Sequence, residues 1–136
     1  MSVTVDASVA IKWVFEEQDH EAALGLAGSE RTLHAPSLIL TETANVIWRK
    51  WRQDHLDIRS GERALLKVAE ILDQIHRSED LLQSAMTIAF ELEHPVYDCV
   101  YLACAMRENT ALITADRRLH RVVAGTRLAD RVQLLS

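Results

Sequence analysis

Residues 98–116 read DCVYLACAMRENTALITAD. An apolar helix from Cys99 to Met106 opens at Asp98, and the short run Ala111-Leu112-Ile113-Thr114 follows it and stops at Ala115-Asp116. Apolar, β-branched runs bounded by polar residues read as buried strands. Val3-Thr4-Val5 stops in the same way at Asp6, so Asp6 and Asp116 both fall at carboxyl ends of strands. Glu42 lies about one turn into a helix entered through Pro36-Ser37. In a βα unit the helix starts at the edge where its strand ended. Asp6, Glu42, Asp98 and Asp116 can therefore converge on the edge where open α/β sheets bind ligands.

The same reading extends along the chain. Helices are expected over Ser8 to Phe15 and Asp19 to Ala27, the second with Asp19 as N-cap and Gly28 ending it. A strand is expected from Arg31 to Ala35, then long helices from Ser37 to about Gln53 and from Asp57 to Ile75. A brief strand near Gln74 to Ser78 precedes a helix from Asp80, its N-cap, to Glu93, which Pro95 stops. A short helix after Asp116 and a strand from Val132 to Leu135 complete the list. Strands alternate with helices, which favours a central parallel sheet covered on both faces, a three-layer α/β/α sandwich.

The 136 residues fit a single domain, and a composition 49% hydrophobic and 26% charged is that of a globular protein. No signal peptide or bilayer-spanning run is read, so the expected location is cytoplasmic, without a membrane. Cys99 and Cys104, five apart on one helix, are expected to stay reduced. The net charge of −5 argues mildly against nucleic acid, but a cation site must itself concentrate carboxylates. Basic clusters also survive at Arg49-Lys50-Trp51-Arg52 and at Arg117-Arg118 with His120-Arg121. Trp48 and Trp51, three apart on one helix, read as core, though paired aromatics also suit an interface.

Two unit charges 4 Å apart repel by about 4 kcal/mol at an effective dielectric near 20. Clustered carboxylates therefore need protons or a cation, and oxygen-only ligands select a hard ion, Mg²⁺ with Mn²⁺ as substitute. Such an ion acidifies water and polarises a phosphoryl oxygen, which suits phosphodiester hydrolysis. The histidines at 20, 34, 55, 76, 94 and 120 form no close pair, and the cysteines lack a CxxC spacing, which argues against zinc. Phosphate-cradling glycine motifs and the G-x-S-x-G elbow are absent. Taken singly, Asp98 also reads as an N-cap, Asp116 as a turn or cap, and Glu42 as a solvated acid. The signal lies in their combination.

Four blocks, in order, carry a resemblance. They are Val5-Asp6-Ala7-Ser8-Val9-Ala10-Ile11-Lys12-Trp13; Ala35-Pro36-Ser37-Leu38 with Glu42-Thr43-Ala44-Asn45-Val46; Tyr97-Asp98-Cys99-Val100-Tyr101-Leu102-Ala103; and Leu112-Ile113-Thr114-Ala115-Asp116-Arg117-Arg118-Leu119. Together they closely resemble PIN domains of the VapC toxin type. The resemblance implies a PIN-like fold and a Mg²⁺- or Mn²⁺-dependent endoribonuclease, the toxin of a type II toxin–antitoxin pair. Asp6, Glu42, Asp98 and Asp116 match the acids that hold the metal, and Ser8 and Thr114 match small hydroxyl positions beside them.

Those hydroxyls are assigned to orienting a carboxylate or a water; the plainer readings are N-capping for Ser8 and strand packing for Thr114. Asn45, one turn beyond Glu42, is placed to hydrogen-bond the acid or the substrate. Lys12, Arg117 and Arg118 are candidate phosphate contacts, or simply solvated. Many PIN nucleases carry a further acid where this chain has Arg118, so one metal is expected rather than two. The implied partners are RNA, a second copy of the chain and an antitoxin. Two other readings stand beside this one. In the first, a catalytically silent PIN-like module binds RNA or regulates. In the second, a haloacid-dehalogenase-like phosphotransferase uses Asp6 as nucleophile, although Ser8 stands where that site wants a second aspartate.

Overall fold

The computed structural model describes residues 1–136. Five short strands form one sheet: β1 (Ser2–Val5), β2 (Thr32–Pro36), β3 (Gln74–His76), β4 (Ala111–Thr114) and β5 (Val132–Leu134). Their order is β3-β2-β1-β4-β5 and every pairing is parallel. Helices α1 (Ala7–Val14), α2 (His20–Ala27), α3 (Leu38–Asp54), α4 (Ile58–Ile71), α5 (Leu82–Leu92), α6 (Val96–Arg107) and α7 (Arg117–Val123) connect and flank the strands. The expected parallel α/β sandwich is the observed one. The chain winds outward from β1 to β3, then restarts on the other side at β4. β1 and β4 therefore flank the crevice where doubly wound sheets bind ligands.

The helix opened by the quoted stretch is the centre of the molecule. All seven residues Cys99–Ala105 of α6 are buried, so the helix is apolar all round rather than on one stripe. It packs against β1, β2 and β4 on one side and α5 on the other. Ala103, Ala105 and the free thiols Cys99 and Cys104 keep it slim enough for that position. Val3, Val5, Leu33, Ala35 and Leu112 from the strands join it in a cluster of 28 buried residues. Trp13 ties α1 to α2 by donating from its ring nitrogen to the Ala23 carbonyl at 3.0 Å. No helix is long and apolar enough to cross a membrane.

Several helix ends differ from expectation. α6 begins at Val96 behind Pro95, so Asp98 is its third residue and not its N-cap. Proline's fixed φ suits entry into a helix. α5 stops instead through Glu93, whose φ of 51° breaks the helical run. Asp80 sits inside a 3₁₀ turn, Ser78–Leu81, ahead of α5. Asp19 occupies the cap position of α2, but its φ of 65° leaves its side chain without a capping bond. α4 ends at Ile71 rather than Ile75, because Leu72 turns extended and buries, freeing Gln74–His76 to pair with β2. Trp48 and Trp51 are not core: they stand 50% and 47% exposed beside a groove between α3 and α4.

The start of α3, the helix that carries Glu42, is held from across the sheet. Ser78 Oγ accepts from the Leu38 amide at 2.8 Å, and Ser37 Oγ accepts from the Ser78 amide at 3.0 Å. Ser78 thus caps a helix 40 residues earlier in the chain. Ser78→Ala is expected to cost about 1–2 kcal/mol of unfolding free energy by urea titration. A loss within error of zero would show that water replaces the cap.

Candidate metal centre

Asp6 ends β1 and caps α1, its Oδ1 accepting from the amides of Ser8 at 3.1 Å and Val9 at 3.3 Å. The Ser8 hydroxyl donates to the same oxygen and accepts from the Ala115 amide at 2.9 Å. Thr114, at the end of β4, donates its hydroxyl to Oδ2 of Asp6 and accepts from the Asp116 amide at 3.0 Å. The two hydroxyls therefore lock the Asp6 carboxylate and join the ends of the two central strands. Capping is done by Asp6 itself, not by Ser8.

Asp116 plays the equivalent part for α7, its Oδ1 accepting from the amides of Arg118 at 2.9 Å and Leu119 at 3.3 Å. Asp98, in the first turn of α6, is paired through Oδ2 with His94 Nε2 at 2.7 Å. Glu42, on α3, accepts a short hydrogen bond from the hydroxyl of Tyr101. Tyr101 follows Asp98 by three residues on α6, so the two share a helix face.

The four acids line one cleft of about 560 Å³, together with Ser8, Asn45, Arg49, Tyr97 and Tyr101. Burial pushes Asp6 up to about 6; hydrogen bonds from Ser8, Thr114 and Val9 pull against it, and the Asp98 charge adds to it. Burial also raises Glu42, against the Tyr101 hydrogen bond and with the Asp98 charge. Tyr101 is itself held far above its ordinary range by burial and by Glu42, so it remains a donor. Hydrogen bonds alone thus leave the acids short of compensation. A cation among the carboxylates would supply it, and the all-oxygen donor set fits a hard divalent ion.

Not every expected residue reaches this cleft. Lys12 is buried and paired with Glu17 at 3.1 Å, away from the lining, because α1 turns that face inward. Arg117 and Arg118 are exposed on α7 outside the lining. The one basic side chain that lines it is Arg49, seven residues past Glu42 on α3. Sequence reasoning gave no role to Tyr101 or His94, and took Arg49 only as part of the basic cluster Arg49-Lys50-Trp51-Arg52. Tyr101, three after Asp98 on α6, and Arg49, seven after Glu42 on α3, have a retrievable signal in helical spacing from an acid; His94 lies before Pro95 and the start of α6 and has none.

Comparison with known proteins bears on the fold and the family. The family model described as the PIN domain matches residues 3–125. Ribonuclease VapC3 of Pyrobaculum aerophilum is 30% identical over 122 residues, 88% of this chain and 92% of that protein. Ribonuclease VapC9 of Mycobacterium tuberculosis is 32% identical over 117 residues, covering 86% and 87% of the two chains. Among solved structures, a toxin–antitoxin complex from Klebsiella pneumoniae superposes with a TM-score of 0.69 at 16% identity, over 96% of this chain and 95% of that one.

Proposed function

Because this chain belongs to the PIN-domain family, we propose that it is a Mg²⁺-dependent endoribonuclease, the toxin of a toxin–antitoxin pair, hydrolysing RNA phosphodiester bonds. The observation that carries the reading is the convergence of Asp6, Glu42, Asp98 and Asp116 on the crevice between β1 and β4. These four side chains would hold one Mg²⁺, or Mn²⁺ in its place. When bound, the ion supplies an acidified water and Lewis-acid polarisation of the phosphate. Arg118, with its side chain outside the cleft, adds no further acid there, and one ion is the reading we adopt.

The chain's own groups divide the remaining work. Ser8 and Thr114 fix both oxygens of Asp6, so that carboxylate meets its ligand without reorganising. Tyr101 holds Glu42 and His94 holds Asp98 in the same manner. Arg49 neutralises a backbone phosphate at the cleft mouth, and Asn45 beside it hydrogen-bonds the strand. Tyr97, 62% exposed at the same cleft, offers a ring for an unstacked base.

Partners follow from the exposed apolar surfaces. Leu82, Met86 and Phe90 recur every fourth residue along α5, and Trp48 and Trp51 project from α3. We assign these two faces to a second copy and to an antitoxin, the latter the kind of partner named for the Klebsiella complex. An RNA substrate agrees with a cytoplasmic location. The phosphotransferase reading is set aside, since Ser8 donates to Asp6 where that chemistry needs a second acid.

The test is cleavage of a structured RNA by the purified chain, with Mg²⁺, with Mn²⁺ and with EDTA, the new ends being mapped. Cleavage that requires the ion is expected; ion-independent RNA binding without cleavage would favour the silent module. Tyr101→Phe keeps the ring but removes the bond to Glu42. It is expected to raise the Mg²⁺ concentration for half-maximal cleavage by about tenfold. An unchanged Mg²⁺ dependence would detach Tyr101 from the site.

A further inference from the structure

The sheet brings together two of the histidines that sequence spacing keeps apart. His34 in β2 and His76 in β3 lie on adjacent strands, and Glu108, which follows α6, reaches the same point. We propose that His34, His76 and Glu108 form a second metal site, for a borderline divalent ion of the Zn²⁺ class, separate from the carboxylate cleft. Glu108 follows Asp98 by ten residues, about 15 Å along the α6 axis, so the two sites do not share ligands.

The donor atoms are His34 Nδ1, His76 Nε2 and Glu108 Oε1. The nitrogens are 2.9 Å apart, and the carboxylate oxygen is 3.7 Å from one and 3.8 Å from the other. A circle through three atoms so spaced has a radius of about 2.0 Å, the length of a Zn–N or Zn–O bond. Two imidazoles and one carboxylate, with a position left for water, is a familiar zinc donor set.

Proton counting points the same way. Between the two rings, whose planes are 13° apart, a single proton makes the 2.9 Å contact. The Glu108 oxygen is beyond hydrogen-bond distance of both nitrogens, and its other oxygen meets only Arg107, at 3.8 Å. Three Lewis bases thus face one another with one proton among them. Burial and the neighbouring His76 also hold His34 below its ordinary pKa, in the neutral form that binds metals. On binding, the proton between the rings leaves its nitrogen, for that ring's other nitrogen or for solvent, and both lone pairs then turn to the ion.

Such an ion would clip the three-residue edge strand β3 to β2 and to the end of α6. The experiment uses the full chain stripped with chelator and titrated with Zn²⁺, reading bound metal by competition with a coloured chelator and stability by thermal melting. An Asp6→Asn/Asp98→Asn background disables the cleft as a zinc site. In that background one equivalent of Zn²⁺ is expected, raising Tm by roughly 5–10 °C when the ion is a hundredfold above Kd. Co²⁺ in its place should give the intense visible bands of tetrahedral coordination. His76→Asn and Glu108→Gln alter partly exposed groups and are checked for folding by circular dichroism; each should weaken Zn²⁺ binding by more than about tenfold. Absence of zinc uptake in the cleft-disabled chain, or uptake that survives both substitutions, overturns the proposal and leaves a hydrogen-bonded histidine pair.

Discussion

Asp98→Asn is expected to leave a folded protein whose kcat/KM for RNA falls by about a thousandfold, roughly 4 kcal/mol of transition-state stabilisation. The fold should survive because Asp98 is neither a cap nor core. Its side chain is 34% exposed, and its one hydrogen-bond partner is His94. The asparagine oxygen can still accept from His94 Nε2, so shape and contact persist while the charge disappears. What is lost is one anionic ligand in the cleft and the field that Asp98 exerts on Asp6 and Glu42. A quenched-fluorophore RNA gives the rate, and circular dichroism with a melting curve gives the fold. Activity within tenfold of wild type, in a folded variant at saturating Mg²⁺, would refute the assignment of Asp98 as a metal ligand.

The second large effect is on stability. Asp6 titrates at about 6 in the folded protein against an ordinary 3.8, so between those values the folded state binds more protons than the unfolded one. Unfolding free energy then falls as pH rises through that window, by about 3 kcal/mol from Asp6 alone. Glu42, also raised, contributes with the same sign. Divalent ion binds the ionised carboxylates and opposes this, so stabilisation by Mg²⁺ should grow as pH rises through about 6. Urea titrations from pH 4 to 7.5, in EDTA and in Mg²⁺, measure both slopes. Asp6→Asn has no such proton to lose. The difference between wild type and this variant isolates the residue, and the metal-free variant should be the more stable protein at pH 7.5. Equal pH slopes for the two proteins in EDTA would mean that Asp6 is not held in this state.

Much of this was legible in the chain because strand ends and helix starts are local signals. Val3-Thr4-Val5-Asp6 and Ala111 to Asp116 each announce a buried strand that stops at an acid, and those two strands flank the functional crevice. Helix ends were less legible: Asp98 and Asp80 each looked like a cap, but Pro95 and the Ser78 turn set the starts instead. Side-chain direction was legible only where periodicity constrained it. Lys12 looked available, yet α1 buries the face that carries it. Trp48 and Trp51 looked like core, yet α3 turns Ile39 and Thr43 inward and leaves them half in water. Partnerships across the sheet were not legible at all. His34 and His76 are 42 residues apart in sequence, and only the pairing of β2 with β3 makes them neighbours.

The bonds from Thr114 to Asp6 and from Ala115 to Ser8 span 108 and 107 residues. Contacts of such separation close late, since the intervening chain must first give up its loop entropy. They also cannot form on the ribosome until Thr114 and Ala115 have emerged. A nascent chain that stops short of those residues carries the Asp6 carboxylate but neither of the contacts that reach it from the end of β4.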